Sequence, residues 1–158
     1  MSEMNKTVVD IQPKEQIMSA EQNKTNFKRL YDEVFNQENL DVANELIGSN
    51  IVEHQQQPGV DPAAAGPELV KQIARFYRSA FPDLQIVVND LIAEGDRVAA
   101  RVSIIGTHQG EMMSIPPTGR RVEVSSIDII RFEDGKAAEH WGETDIITMM
   151  KQLGVVPA

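Results

Sequence analysis

At 158 residues, with a hydrophobic fraction of 41% and a charged fraction of 25%, the chain can bury a core as one domain without metal or disulfide staples and is too apolar for wholesale disorder. Its 24 acidic against 15 basic side chains, a formal net charge of -9, exclude the basic footprint that nucleic acid or an anionic membrane requires, and leave small neutral or hydrophobic partners. Cysteine is absent, which removes disulfides, thiolate nucleophiles and cysteine-bound metals together.

Residues 1–18 mix polar side chains with isolated Val8, Val9, Ile11 and Ile17 and show no sustained period, which predicts a flexible arm before a single domain over 19–158. The N-terminus lacks the continuous apolar core of a signal peptide and no apolar run is long enough to span a bilayer, so a cytoplasmic location is expected. Ser19 and Gln22 have the spacing of a capping box, and Phe27, Leu30, Tyr31 and Val34 follow at helical spacing, predicting a helix over about 20–37. Leu40, Ala43, Leu46 and Ile47 predict a shorter helix closed by Gly48 as a left-handed cap.

Ile51 to His54 favours a brief strand with Val52 and His54 on one face, so His54 is expected to look inward. The loop from Gln55 to Gly66, rich in proline and glycine, suits a pocket rim. Pro67 opens a third helix whose stripe is Leu69, Val70, Ile73, Phe76, Tyr77 and Ala80.

From Leu84 the period becomes extended. Strands are predicted over 84–93 and 97–107 around Glu94-Gly95-Asp96, and over 121–132 and 136–145 around Asp134-Gly135, a strong hairpin signal. Ile115-Pro116-Pro117 forbids regular pairing and marks a loop. A short helix over 146–153 stops at Gly154. Three helices followed by an antiparallel meander predict an α+β layout in which helices cover one face of a curling sheet and leave a cavity for a small ligand.

Two stretches carry chemistry. In Glu139-His140-Trp141-Gly142-Glu143-Thr144-Asp145, strand parity puts Glu139, Trp141, Glu143 and Asp145 on one face, so an inward Trp141 takes three carboxylates with it. The alternative places Trp141 in the core and the acids at a wet rim. In Arg121 to Phe132, parity puts Asp128 in the apolar row Val122, Val124, Ser126, Ile130 and Phe132, where a buried carboxylate suits proton transfer; the alternatives are a carboxylate tied by hydrogen bonds or one exposed by a twist or bulge of the strand. The opposite face leaves Ile127 and Ile129 to be covered by a sheet-to-sheet dimer. Among the three histidines, His54 ranks first as an acid/base partner and His108 second, while His140 has the outward parity. Their separation, with no His-Glu-x-x-His arrangement, argues against a metal site. There is no nucleophile elbow and no phosphate-binding glycine loop.

The segments Tyr31 to Asn36, Phe81-Pro82-Asp83-Leu84, Asp90 to Val98, Gly106-Thr107-His108, Ile115 to Arg120 and Arg131 to Lys136 with Glu139-His140-Trp141 occur in the order of the SnoaL-like polyketide cyclases, which the chain resembles from about Asn23 to Leu153. The resemblance implies the cone of the nuclear transport factor 2-like superfamily, with N-terminal helices on a curved, mainly antiparallel sheet and oligomers, here a homodimer, formed through the outer sheet face. It also implies aldol-type cyclisation or isomerisation of a small hydrophobic carbonyl compound, without metal or organic cofactor, by a carboxylate acid/base. The matching position is Asp145, with Glu143 as second candidate. His54 and Asp128 are expected to assist, and Trp141, Glu143, His108, Phe35, Tyr31 and Phe76 to line the substrate site. The competing expectation is a ligand-binding or assembly module that keeps the fold without the chemistry.

Overall fold

The structure is a computed structural model that describes residues 13–158; the N-terminal arm expected over 1–18 therefore lies outside the described residues up to position 12. The first helix begins earlier than the capping-box spacing predicts. Helix α1 spans Pro13–Arg29 and runs directly into a seven-residue π-helical segment, Leu30–Asn36. Its predicted face is buried, with Phe27 and Val34 fully enclosed. Arg78 closes this segment by donating to the carbonyls of Phe35 and Asn36, a cation at the negative end of a helix dipole. Asn36 then clamps the sheet edge by donating to Ile86 O at 2.8 Å and accepting from Ile86 N at 2.7 Å.

The second helix is shorter than predicted. A single 3-10 turn, Leu40–Val42, leads into α2 (Ala43–Leu46), and the chain is already extended at β1 (Ile47–Glu53). Gly48 is thus not a helix cap: it lies in a strand where an added Cβ would sit 3.2 Å from Ala137 O. Helix α3 (Gly66–Ala80) follows, then β2 (Gln85–Glu94), β3 (Arg97–Thr107), β4 (Arg121–Glu133), β5 (Lys136–Thr144) and α4 (Ile146–Leu153). The strands form one sheet in the order β1-β5-β4-β3-β2. All neighbours are antiparallel except β1 and β5, which are parallel.

The α+β architecture is as the hydrophobic pattern predicts, with helices over one face of a curved sheet. Strand β4 shows the parity behind it, Val122, Val124, Ser126, Asp128, Ile130 and Phe132 being buried and their neighbours turned away. Strand β5 breaks the parity expected of it. Counting from the Asp134-Gly135 turn, Glu133 pairs with Lys136 and Phe132 with Ala137, but Arg131 pairs with Glu139, so Ala138 is a bulge. An extra residue on one strand exchanges the two faces beyond it. His140, Gly142 and Thr144 therefore face the helices, and Glu139, Trp141 and Glu143 face outward.

Candidate active site

The concave face and the helices enclose a cavity that is partly open to solvent. Its wall is mostly apolar. The π-helical segment contributes Leu30, Tyr31 and Phe35, α3 contributes Val70, Ile73 and Tyr77, and the sheet contributes Ile47, Ile51, Ile86, Ile104 and Ile130. π-Helical turns are rare and recur at functional sites, and here one delivers two aromatic rings to the cavity.

Polar groups converge at one side of it. Asp128 is 5% exposed and accepts hydrogen bonds from Tyr31 Oη and Ser126 Oγ, both at 3.0 Å. His140 Nδ1 bonds both carboxylate oxygens of Glu53, at 2.8 and 2.9 Å, while His140 Nε2 points to Asp128 Oδ1 at 3.7 Å. That is too long for a hydrogen bond, and Nε2 is buried without a partner. The imidazole thus lies between two carboxylates with one N–H left over. Burial opposes its charged form, but Asp128 and Glu53 outweigh burial and lift the pKa to about 9. Burial first, then the charge of Asp128, raises the Tyr31 phenol well above its ordinary value, so Tyr31 stays a donor. The same causes raise Tyr77.

The predicted site residues fall into three places. Asp128, Tyr31 and Phe35 line the cavity. His54, Phe76 and Glu143 line an outer recess, with Met112, Met113 and Ile146, that shares Gln55, Tyr77 and Thr144 with the cavity. The others are elsewhere. Asp145 is exposed and caps α4, its Oδ1 accepting Thr148 N at 3.0 Å; that bond holds its carboxyl below the usual carboxylate range. Trp141 is on the outer face, half-buried, with its ring 4.9 Å from that of His54 at an interplanar angle of 6° and the Arg97 guanidinium 5.3 Å from its centroid. His54 does not look inward: its side chain is 41% exposed and its Nε2 is 2.8 Å from Glu139. His108 is wholly buried but outside both recesses, beside Phe81, with Nδ1 accepting Thr118 N at 3.2 Å.

Sequence reasoning missed His140, Glu53, Gln55, Gln57 and Thr144. The usable signal was Gly142, because a glycine inside a strand marks a bulge or a close approach. A Cβ there would meet Gln55 Oε1 at 2.5 Å and Asp128 Oδ1 at 2.8 Å, so only glycine lets these groups share the space.

Among the described residues no three His, Cys, Asp or Glu side chains are arranged to hold a metal ion, and no helix is long and apolar enough to cross a membrane.

The family model for SnoaL-like polyketide cyclase matches residues 25–153. The chain belongs to that family. Aklanonic acid methyl ester cyclase DnrD of Streptomyces peucetius is 30% identical over 60% of this chain and 66% of its own length, so the match spans about two thirds of that relative. Nogalonic acid methyl ester cyclase of Streptomyces nogalater is 30% identical over 56% of this chain and 67% of its length. Among solved structures, IdmH from Streptomyces antibioticus is 35% identical with a TM-score of 0.73, covering 84% of this chain and 99% of its own. AclR from Streptomyces galilaeus, described as a candidate hydroxylase, is 32% identical with a TM-score of 0.74, covering 88% of this chain and 85% of its own. Membership therefore fixes the architecture more tightly than the reaction.

Proposed function

We propose that this chain closes a ring in a small hydrophobic carbonyl compound by intramolecular aldol-type acid–base chemistry, with Asp128 as base and His140 as acid. The observation that carries the reading is the unpartnered Nε2 of a buried imidazole, 3.7 Å from a buried carboxylate, in an apolar cavity. Asp128 removes a proton from carbon next to a carbonyl. His140 Nε2–H bonds the enolate oxygen and steadies the developing charge where water is scarce. The enolate carbon then bonds to a second carbonyl carbon of the same molecule, and the alkoxide takes up a proton, so that one C–H hydrogen ends on oxygen. Tyr31 and Ser126 hold Asp128 in place, and Glu53 holds His140. The apolar wall favours the folded form of the substrate and excludes water.

The test uses aklanonic acid methyl ester, the compound named for the DnrD relative, with wild type, Asp128→Asn and Asp145→Asn. Turnover is expected to fall about 10³-fold in Asp128→Asn and to stay near wild type in Asp145→Asn. Loss of turnover in Asp145→Asn alone would return the base to the helix cap and overturn the reading. Binding without turnover by the wild type would favour a ligand-binding module.

We also propose that the outer sheet face pairs with a second copy of the chain. A row of paired positions runs across it from Ile92 through Ala99 and Ile129 to Trp141. Ile92 is 71% exposed and Ile127 49%, a concentration of apolar surface that water disfavours.

A further inference from the structure

A second buried atom in the cavity wall has no partner, Gln57 Oε1. It ends a directional hydrogen-bond chain. Ser126 Oγ donates to Asp128 Oδ1 at 3.0 Å, and Thr144 Oγ1 donates to Ser126 Oγ at 3.2 Å. Gln55 Nε2 donates to Thr144 Oγ1 at 3.1 Å, and Gln57 Nε2 donates to Gln55 Oε1 at 3.0 Å.

The carboxylate at the head sets the direction of the whole chain. An ionised Asp128 can only accept, so Ser126 must donate to it and is left to accept from Thr144. Thr144 spends its proton on Ser126 and accepts from the Gln55 amide nitrogen. Gln55 therefore turns its oxygen to Gln57, which must answer with nitrogen. What remains at the tail is the Gln57 carbonyl oxygen, an acceptor removed from water. Gly142 keeps the chain intact, since a side chain there would displace Gln55 and Asp128 together.

An acceptor buried without a partner costs free energy until something donates to it. The cavity wall thus presents complementary groups in two places, a free donor at His140 Nε2 and a free acceptor at Gln57 Oε1. We propose that Gln57 is a substrate-binding residue that accepts a hydrogen bond from a ligand hydroxyl, so that the cavity selects compounds carrying a free hydroxyl in addition to a carbonyl. This rests on the cavity being the substrate site proposed above and adds to it the second polar group a ligand must carry. A site built to bond a hydroxyl discriminates strongly against the analogue that lacks it, because its own polar atom is then stranded.

The experiment measures binding by calorimetry with three ketones of one skeleton: tetralone, hydroxytetralone with a phenolic hydroxyl remote from the carbonyl, and the methyl ether of the latter. Wild type is expected to bind hydroxytetralone about tenfold more tightly than tetralone, with the methyl ether no better than tetralone. In Gln57→Leu that preference is expected to fall to about unity. Thr144→Val, which does not touch Gln57 but cuts the chain that orients it, is expected to reduce the preference part of the way. A preference that survives unchanged in Gln57→Leu, or its absence in wild type, overturns the proposal. Failure of all three ketones to bind wild type overturns both the proposal and the cavity as a ligand site. The ratio is read without catalysis, so an intact ratio with no turnover counts against the cyclase reading alone.

Discussion

Two histidine–carboxylate pairs flank strand β5, one on each face of the sheet. Inside, His140 Nδ1 meets Glu53 at 2.8 Å with both side chains 12% exposed; outside, His54 Nε2 meets Glu139 at the same 2.8 Å with side chains 41% and 22% exposed. The bond lengths do not separate them. The outer pair is open to water and Glu139 is shared with Arg131 at 2.9 Å, so its energy is screened and divided. The inner pair has a second carboxylate beyond it, an imidazole nitrogen without a partner and an apolar wall around it. The face of the sheet, rather than the pairing of residue types, decides which of the two is equipped for chemistry.

The largest expected effect breaks the comparison directly. His140→Gln should lower turnover by about 10² to 10³-fold, the range for loss of a general acid, while His54→Gln should leave it within about twofold. Steady-state kinetics on the same substrate reads both. Equal losses would mean that the outer pair reaches the reacting atoms and that the face of the sheet does not matter.

Next in size is the pH dependence of stability. The folded pKa of His140, about 9, lies above its ordinary 6.5. A raised pKa contributes stability that is fully present below about pH 6.5 and is lost as pH rises through 9. The linkage amounts to on the order of 3 kcal/mol. Urea unfolding at several pH values should show wild type weakening between 6.5 and 9 and His140→Gln nearly flat over that range. A wild-type curve without this slope would mean that His140 is buried neutral and that its Nε2 is no acid.

How far the sequence reveals the site turns on one residue. Asp128 was legible because β4 alternates cleanly, with no bulge between Arg121 and Arg131 on its β3 side. The cone and its cavity were legible because the change from helical to extended period at Leu84 is sharp. His140 was not, because Ala138 inserts an extra residue that no hydropathy pattern marks, and every side chain beyond it changes face. The size of the Trp141 indole made an inward place attractive. Outside, it finds the His54 ring and the Arg97 cation instead, partners that also satisfy an aromatic face. His54 fell to the same error from the other direction. In β1, Glu53 rather than His54 shares the inner face with His140, as their pairing in the ladder requires.

Asp145 sharpens the comparison from a third position, a carboxylate that serves the backbone. Asp145→Ala should cost about 1 kcal/mol, the usual loss of an N-cap, with turnover retained once the protein is folded. Chemical denaturation and kinetics together separate the roles. A large loss of turnover at unchanged stability would make Asp145 a member of the active site.

The smallest effect on the protomer itself is expected on the outer face. Ile127 is half-exposed, so Ile127→Asp removes little burial within one chain and should change the stability of an isolated protomer by no more than about 0.5 kcal/mol. If two copies join through this face, the same substitution buries a further charge in the contact, between Arg101 and Glu143 and beside the row from Ile92 to Trp141, where it is costly. Light scattering should then show a dimer for wild type and a monomer for Ile127→Asp. Wild-type stability should rise with protein concentration, as mass action requires when association favours the folded state, and that of Ile127→Asp should not. An unchanged mass would remove the second copy from this face. It would leave the row from Ile92 to Trp141 facing solvent, with Ile92 71% exposed, and would make the outer face a region that still lacks a partner.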